Sequence, residues 1–221
     1  MIAHSLAALG LIAVGLTLET PKPSLLDRAK NQAKQQVQQA VADNTKAAQD
    51  AVAQADAAMQ AWIAAGQPGA AHEVLQEFTG TWDGASEMFF APDAPPEQST
   101  GVMVNTSELG GRWIKQAWTG TAMGQPFEGV GYFGYDNVKK KYVGNWIDSM
   151  STGMMLMEGD YDPKTKTFTM HGSMTDPTGQ TMKVRHHVAI QSVDRHVFEM
   201  YSTGPDGKER LDGQITYTRR R

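Results

Sequence analysis

The chain has no cysteine, which excludes disulfides, thiolate metal sites and cysteine nucleophiles. It also lacks a basic face. Its 20 Lys and Arg stand against 24 Asp and Glu, for a net charge of −4, so the electrostatic footprint of phosphate binding is missing and no nucleic-acid partner is expected. The densest basic run before the tail, Lys139-Lys140-Lys141, follows Asp136-Asn137 and reads as a solvated hairpin turn. No P-loop, dinucleotide fingerprint, nucleophile elbow or metal-binding helix motif is found. No catalytic set, cofactor or metal site is therefore expected, and the chain reads as non-enzymatic.

Charge is also missing from Ile2 to Leu18, where only His4, Ser5 and Thr17 interrupt Leu, Ile, Val, Ala and Gly. A helix of that length spans about 25 Å, near the lower limit for a hydrocarbon core. Met1-Ile2-Ala3-His4 offers no basic n-region and Leu16-Thr17-Leu18-Glu19 is a poor cleavage site, so residues 1–20 read as an uncleaved single-pass membrane anchor. Sidedness draws conflicting signals. Lys22, Arg28, Lys30 and Lys34 after the span argue for the cytoplasm, whereas N-terminal anchors more commonly export the domain attached to them. The reading adopted is extracytoplasmic, on the periplasmic side.

Glycine and proline are absent from Leu25 to Ala65, where Ala and Gln dominate. Ser24 is placed to cap a helix there, with Asp27 in its first turn. Residues 21–66 are expected to form one long helix or stalk of about 60 Å. Ala48, Val52, Ala55, Met59 and Trp62 recur at four-three spacing and draw a narrow apolar seam. So thin a seam needs a partner, whether a copy of itself, another protein or the barrel wall. Gly66-Gln67-Pro68-Gly69 ends the helix. A short helical segment over Ala71 to Phe78 puts Val74, Leu75 and Phe78 on one side. His72 there reads as an exposed helix-start residue.

From Thr81 onward, polar and apolar residues alternate in segments of about ten, separated by Pro, Gly, Asn and Asp. About ten strands with short turns and no intervening helix predict an antiparallel up-and-down meander over residues 67–221, closed into a barrel so that no edge is left unpaired. The fold class is mainly β. The opening Gly80-Thr81-Trp82 resembles the start of lipocalin-like barrels, in which the indole plugs one end and the glycine lets the chain pass close beneath it. The resemblance implies that Arg219 on the last strand returns onto Trp82. Gly80, Trp82 and Arg219 are thus the expected barrel-closing set.

Further pieces resemble the DUF1579 family of lipocalin-like (calycin) bacterial proteins: Phe78-Thr79-Gly80-Thr81-Trp82, Glu108-Leu109-Gly110-Gly111-Arg112-Trp113, Gly124-Gln125-Pro126-Phe127-Glu128-Gly129, Gly134-Tyr135-Asp136, Trp146-Ile147-Asp148-Ser149 and Gly159-Asp160-Tyr161-Asp162. They cover about residues 72–221. The family implies the fold and brings no activity with it.

Candidate cavity residues emerge from strand phase. Tyr142, Trp146 and Asp148 share a face, and an inward carboxylate needs a partner. Arg112, Lys115 and Arg185 are the candidates, in a structural ion pair or at the base of a ligand cavity. Met182, Val184, His186, Val188 and Ile190 form the apolar phase of their strand, which places His186 inside and Arg185 and His187 outside. Met150, Met154, Met155, Met157, Met170, Met174 and Met182 crowd the middle of the barrel and read as core or cavity lining rather than a copper site. Tyr142, Trp146, Asp148, Met170 and His186 are the candidate ligand-binding set. Two functions are weighed: an accessory subunit of a larger membrane complex, for example a respiratory or photosynthetic one, with barrel and helix as interaction surfaces, and a barrel that binds an apolar small molecule such as a lipid, isoprenoid or pigment.

Overall fold

The computed structural model describes residues 24–91, 94–176, 178–204 and 206–221. The chain divides into two compact units, residues 1–59 and 60–221. In the first, the helix α1 (Leu25–Ala65) begins where expected, with the Asp27 N–H donating to Ser24 Oγ at 3.1 Å. It buries no residue. The seam is correspondingly exposed, with Val52 at 62%, Met59 at 60% and Trp62 at 78% of full exposure. The anchor expected over residues 1–20 lies outside the described residues. Among the described residues no helix is long and apolar enough to cross a membrane. The expected localisation, single-pass with a periplasmic barrel, is corrected to that extent: no described helix supplies a span.

The second unit continues through α2 (Ala70–Gln76) into ten strands: β1 (Gly80–Met88), β2 (Glu97–Glu108), β3 (Trp113–Ala122), β4 (Gln125–Asp136), β5 (Lys141–Asp148), β6 (Met155–Asp162), β7 (Thr167–Thr175), β8 (Thr181–Ser192), β9 (Arg195–Thr203) and β10 (Glu209–Arg219). Every neighbouring pair is antiparallel, and β1 pairs with both β2 and β10, which closes the barrel. Trp82 stands opposite Met103 on one side and Arg219 on the other. With the period fixed at two, that register decides which side chains enter the interior on every strand.

One end of the barrel, here the floor, is packed solid. Leu75 of α2, Ile114 and Phe168 retain no accessible surface, and Phe78 joins them. Phe78, Phe133, Tyr142 and Phe168 meet edge-on or tilted at centroid separations of 4.8–6.1 Å, the arrangement that ring quadrupoles favour. Each fully buried side chain of this size contributes about 2–3 kcal/mol. His72 belongs to the floor, contrary to the expected exposed position: it is buried, its Nδ1 accepts the Gly69 N–H at 3.1 Å, and its ring stands edge-on to Tyr135. Burial holds its pKa below the usual imidazole value, consistent with a neutral ring that can accept at Nδ1. The backbone at the end of α1 is tied to floor-side turns: Asn137 Nδ2 donates to the Ala65 and Gln67 carbonyls, and Arg112 Nε to that of Gly66.

The opposite end, the mouth, is bounded by the β1–β2, β3–β4, β5–β6, β7–β8 and β9–β10 connections.

Candidate functional site

Gly80, Trp82 and Arg219 meet at the floor. The Arg219 guanidinium lies 4.1 Å from the Trp82 ring centroid and donates to the carbonyls of Thr79, Glu77 and Val193 at 2.6, 2.8 and 2.9 Å. Three carbonyls on two segments are thereby held by one planar cation, a geometry that lysine could not reproduce. Gly80 has φ +123°, and a Cβ there would sit 2.7 Å from Arg219 Nη1. Glycine is needed at this position for both its backbone and its space. The Trp82 indole N–H donates to the Phe78 carbonyl at 2.7 Å, and Asn105 Nδ2 shares that acceptor at 2.9 Å.

Above the floor, packing loosens. Trp146, Asp148, Met155, Met182, His186, Met200 and Phe198 all occupy inward register positions, yet each keeps some accessible surface. Tyr142 and Met170 also point inward but are buried. Desolvation pushes the Tyr142 hydroxyl up to about 12, and it donates to the Ala71 carbonyl at 3.2 Å. Of the candidate cavity set, then, Tyr142 and Met170 belong to packed core, while Trp146, Asp148 and His186 border the space toward the mouth. The methionines divide likewise: Met155, Met157, Met170 and Met182 are inside, whereas Met150, Met154 and Met174 are exposed.

Asp148 departs from expectation. Among the described residues it forms no ion pair. One carboxylate oxygen accepts the Trp146 indole N–H at 3.2 Å and the other the Met150 N–H at 3.0 Å. It lies at the end of β5, near enough to the mouth for solvent to stabilise its charge, so no buried cation is required. Arg185 instead faces outward, over the Tyr201 ring at 3.9 Å and paired with Glu209. His187 also faces outward, 3.0 Å from Glu199.

Two indoles lie flat against the inner wall on glycine shelves. Trp118 rests on Gly84 and Gly101, and Trp146 on Gly129 and Gly131; a Cβ at any of the four would overlap the ring. Trp118 is buried, with Phe127, Trp146, Phe198 and Ile215 packed against its cluster. Trp146 keeps an accessible part. Trp118, Phe198 and Met200 are absent from the set expected from the sequence. Trp118 is in strict alternation with Ile114 and Gln116, and Phe198 and Met200 with His196, so strand phase alone would have found them.

His186 stands between Met170 and Met200 on the neighbouring strands and edge-on to Phe198 at 4.9 Å. Desolvation lowers its pKa to about 4, which keeps the imidazole neutral at physiological pH. Deeper, His196 is stacked on Tyr217 at 4.6 Å and edge-on to Trp82 at 4.4 Å, and burial, helped by the Arg219 charge, lowers it to about 3. Among the described residues no group of three or more His, Asp or Glu is placed to hold a metal ion.

Comparison with solved structures places this barrel among known ones. Rv2717c from M. tuberculosis is 14% identical, with a TM-score of 0.51 over 70% of this chain and 100% of that one. The S-type phycobiliprotein lyase CPES from Guillardia theta is 12% identical, with a TM-score of 0.46 over 67% and 92%. EF1p2_mFAP2b, solved bound to DFHBI, is 13% identical, with a TM-score of 0.37 over 68% and 100%. At these identities the likeness is one of fold. The expectation of a non-enzymatic chain is withdrawn: it rested on the want of a familiar motif, which is no argument against catalysis. No curated protein matches the chain. The model of the family described as protein of unknown function DUF1579 matches residues 67–219, the α2 segment and nearly the whole barrel, and the chain therefore belongs to the DUF1579 family.

Proposed function

We propose that the barrel binds an apolar small molecule in the space between its packed floor and its mouth. The observation that carries this reading is the contrast in accessibility along the interior. Ile114 and Phe168 at the floor are sealed, whereas Trp146, Met155, Met182, His186 and Met200 point inward and remain partly accessible, interleaved with the buried Val184 and Ser202. Partly accessible apolar side chains inside a closed wall border interior space, and an apolar guest there would gain the burial that the chain itself leaves unused. Methionines suit such a lining because the thioether chain adapts to the shape of a guest. The accessory-subunit reading rested on the conjunction of an anchor, a thin helix seam and a barrel without a catalytic set, and no contact among the described residues favours it.

Titration of the full chain with pyrene, followed by energy transfer from the tryptophans, tests the proposal. Saturable binding of one pyrene per barrel is expected, and Met200→Trp, which fills the space from β9, should weaken it at least tenfold with the fold intact by circular dichroism. Non-saturable binding, or binding indifferent to Met200→Trp, contradicts the proposal.

A further inference from the structure

Three features of the barrel unit bear on function beyond the binding of an apolar guest. The first is a shallow surface groove of about 360 Å³ beside α2, lined by Val74, Tyr135, Tyr142, Lys140 and Tyr161. It is open to solvent, and the Tyr142 hydroxyl already donates to Ala71. The second is an outer-wall network in which Tyr201 and His187 both reach Glu199 and Arg185 holds Glu209. Its charges are matched internally, so it offers no unmet valence to a ligand. The third is His186, which has unmet hydrogen-bonding capacity.

The His186 ring is enclosed by protein closely enough to suffer strong desolvation, with no hydrogen bond offsetting it. It nonetheless retains accessible surface, and neither ring nitrogen is sealed off without a partner. Its register position, opposite the inward Met170 and Met200, turns the ring toward the interior. A buried polar group is expected to be satisfied. Around His186 the neighbours are Met170, Met200 and Phe198, none of which has a side chain that can serve as an ordinary hydrogen-bond partner. On β5, three strands further round the wall, Trp146 lies flat on Gly129 and Gly131, its indole N–H turned to Asp148 at 3.2 Å. With that N–H engaged, the indole presents the guest with an apolar surface.

Resting on the lumen-binding reading, we infer that the guest is a flat, largely apolar molecule carrying one hydrogen-bonding group, a hydroxyl or carbonyl, which meets the neutral imidazole of His186 while the planar part lies against Trp146. The imidazole has one donor and one acceptor nitrogen when neutral, so it can serve either kind of group. A guest with a charged head would find no counter-charge beside His186 and would lose its hydration. The ligand class is thus neutral, planar and singly polar.

The test compares pyrene with 1-pyrenemethanol on the full chain. Pyrenemethanol is expected to bind about tenfold more tightly than pyrene, the effect of one hydrogen bond to an otherwise unsatisfied buried group. His186→Leu should abolish that preference, so that the two pyrenes bind equally, and His186→Gln, which keeps a donor and an acceptor, should restore most of it. Perhydropyrene, of the same carbon count but puckered, should compete more weakly than pyrene. Equal affinity for the two pyrenes, or His186→Leu weakening both equally, overturns the inference while leaving the lumen-binding reading standing. Perhydropyrene competing as well as pyrene overturns planarity. Failure of both pyrenes to bind removes the lumen-binding reading and the inference with it.

Discussion

The floor and the mouth of one barrel are built differently. At the floor, Trp82, Ile114 and Phe168 are sealed to 1% exposure or less, and the indole N–H and the guanidinium find partners within the chain, the one on Phe78 and the other on three carbonyls. Toward the mouth, Trp146, Met182, His186 and Met200 keep surface among buried neighbours such as Val184 and Ser202, and His186 has no protein partner among the described residues. The same alternating pattern produced both halves, so the difference comes from what is laid across the end. The floor receives α2, Phe78 and a returning arginine, whereas connections alone border the mouth. A closed wall supplies stability wherever it is filled, and the unfilled part becomes available to a guest.

Truncations at the two ends should part most widely. Trp82→Ala and Ile114→Ala should each cost about 3–5 kcal/mol in urea unfolding, because the packed floor cannot collapse around the cavity. Met182→Ala, at a position that already keeps accessible surface, should cost about 1 kcal/mol. Equal losses would erase the distinction. Arg219→Lys is expected to lose about 2–3 kcal/mol, since an ammonium cannot hold the three carbonyls and the indole face together.

Acid should weaken the fold through His186 and His196, with His72, also held below the usual imidazole value, acting in the same direction. Their folded pKa values, about 4 for His186 and about 3 for His196, lie below the unfolded value of about 6.5. The unfolded chain therefore binds protons first as pH falls, and stability present above pH 6.5 declines through the window down to about 4 and 3. At pH 5 the loss should be on the order of 2 kcal/mol for each. His196→Phe should flatten its share with or without a guest. Urea midpoints at pH 5 and 7 check this. Asp148→Asn should change stability by less than about 0.5 kcal/mol, because a mouth-side amide oxygen still accepts from Trp146.

Much of the barrel is legible in the sequence. Alternation and turn chemistry locate all ten strands, and the phase of Met182, Val184, His186, Val188 and Ile190 assigns the inner face of β8. The strongly local rules of strand period and turn residues act here without competition. Legibility falls away where side chains depart from the strand normal. His72 reads as exposed until the Gly69 N–H and Tyr135 close over it. Asp148 reads as needing a cation until the Trp146 indole bends toward it. Nor does strand phase reveal that Trp118 and Trp146 lie down on glycines of neighbouring strands, because that depends on which glycines the register sets beside them. Tyr142 and Met170 share phase with Trp146 and His186 yet are buried, since depth along the barrel, rather than face, decides what a guest can reach.

The division between a sealed floor and a receptive upper lumen is tested most directly by methyl NMR on the full chain labelled at methionine, isoleucine and leucine, with 1-pyrenemethanol titrated in. The methyl resonances of Met155, Met182 and Met200 should shift saturably while those of Leu75, Ile114 and Met103 stay in place. Uniform small shifts at both ends, or shifts confined to the exposed Met150 and Met154, would contradict it.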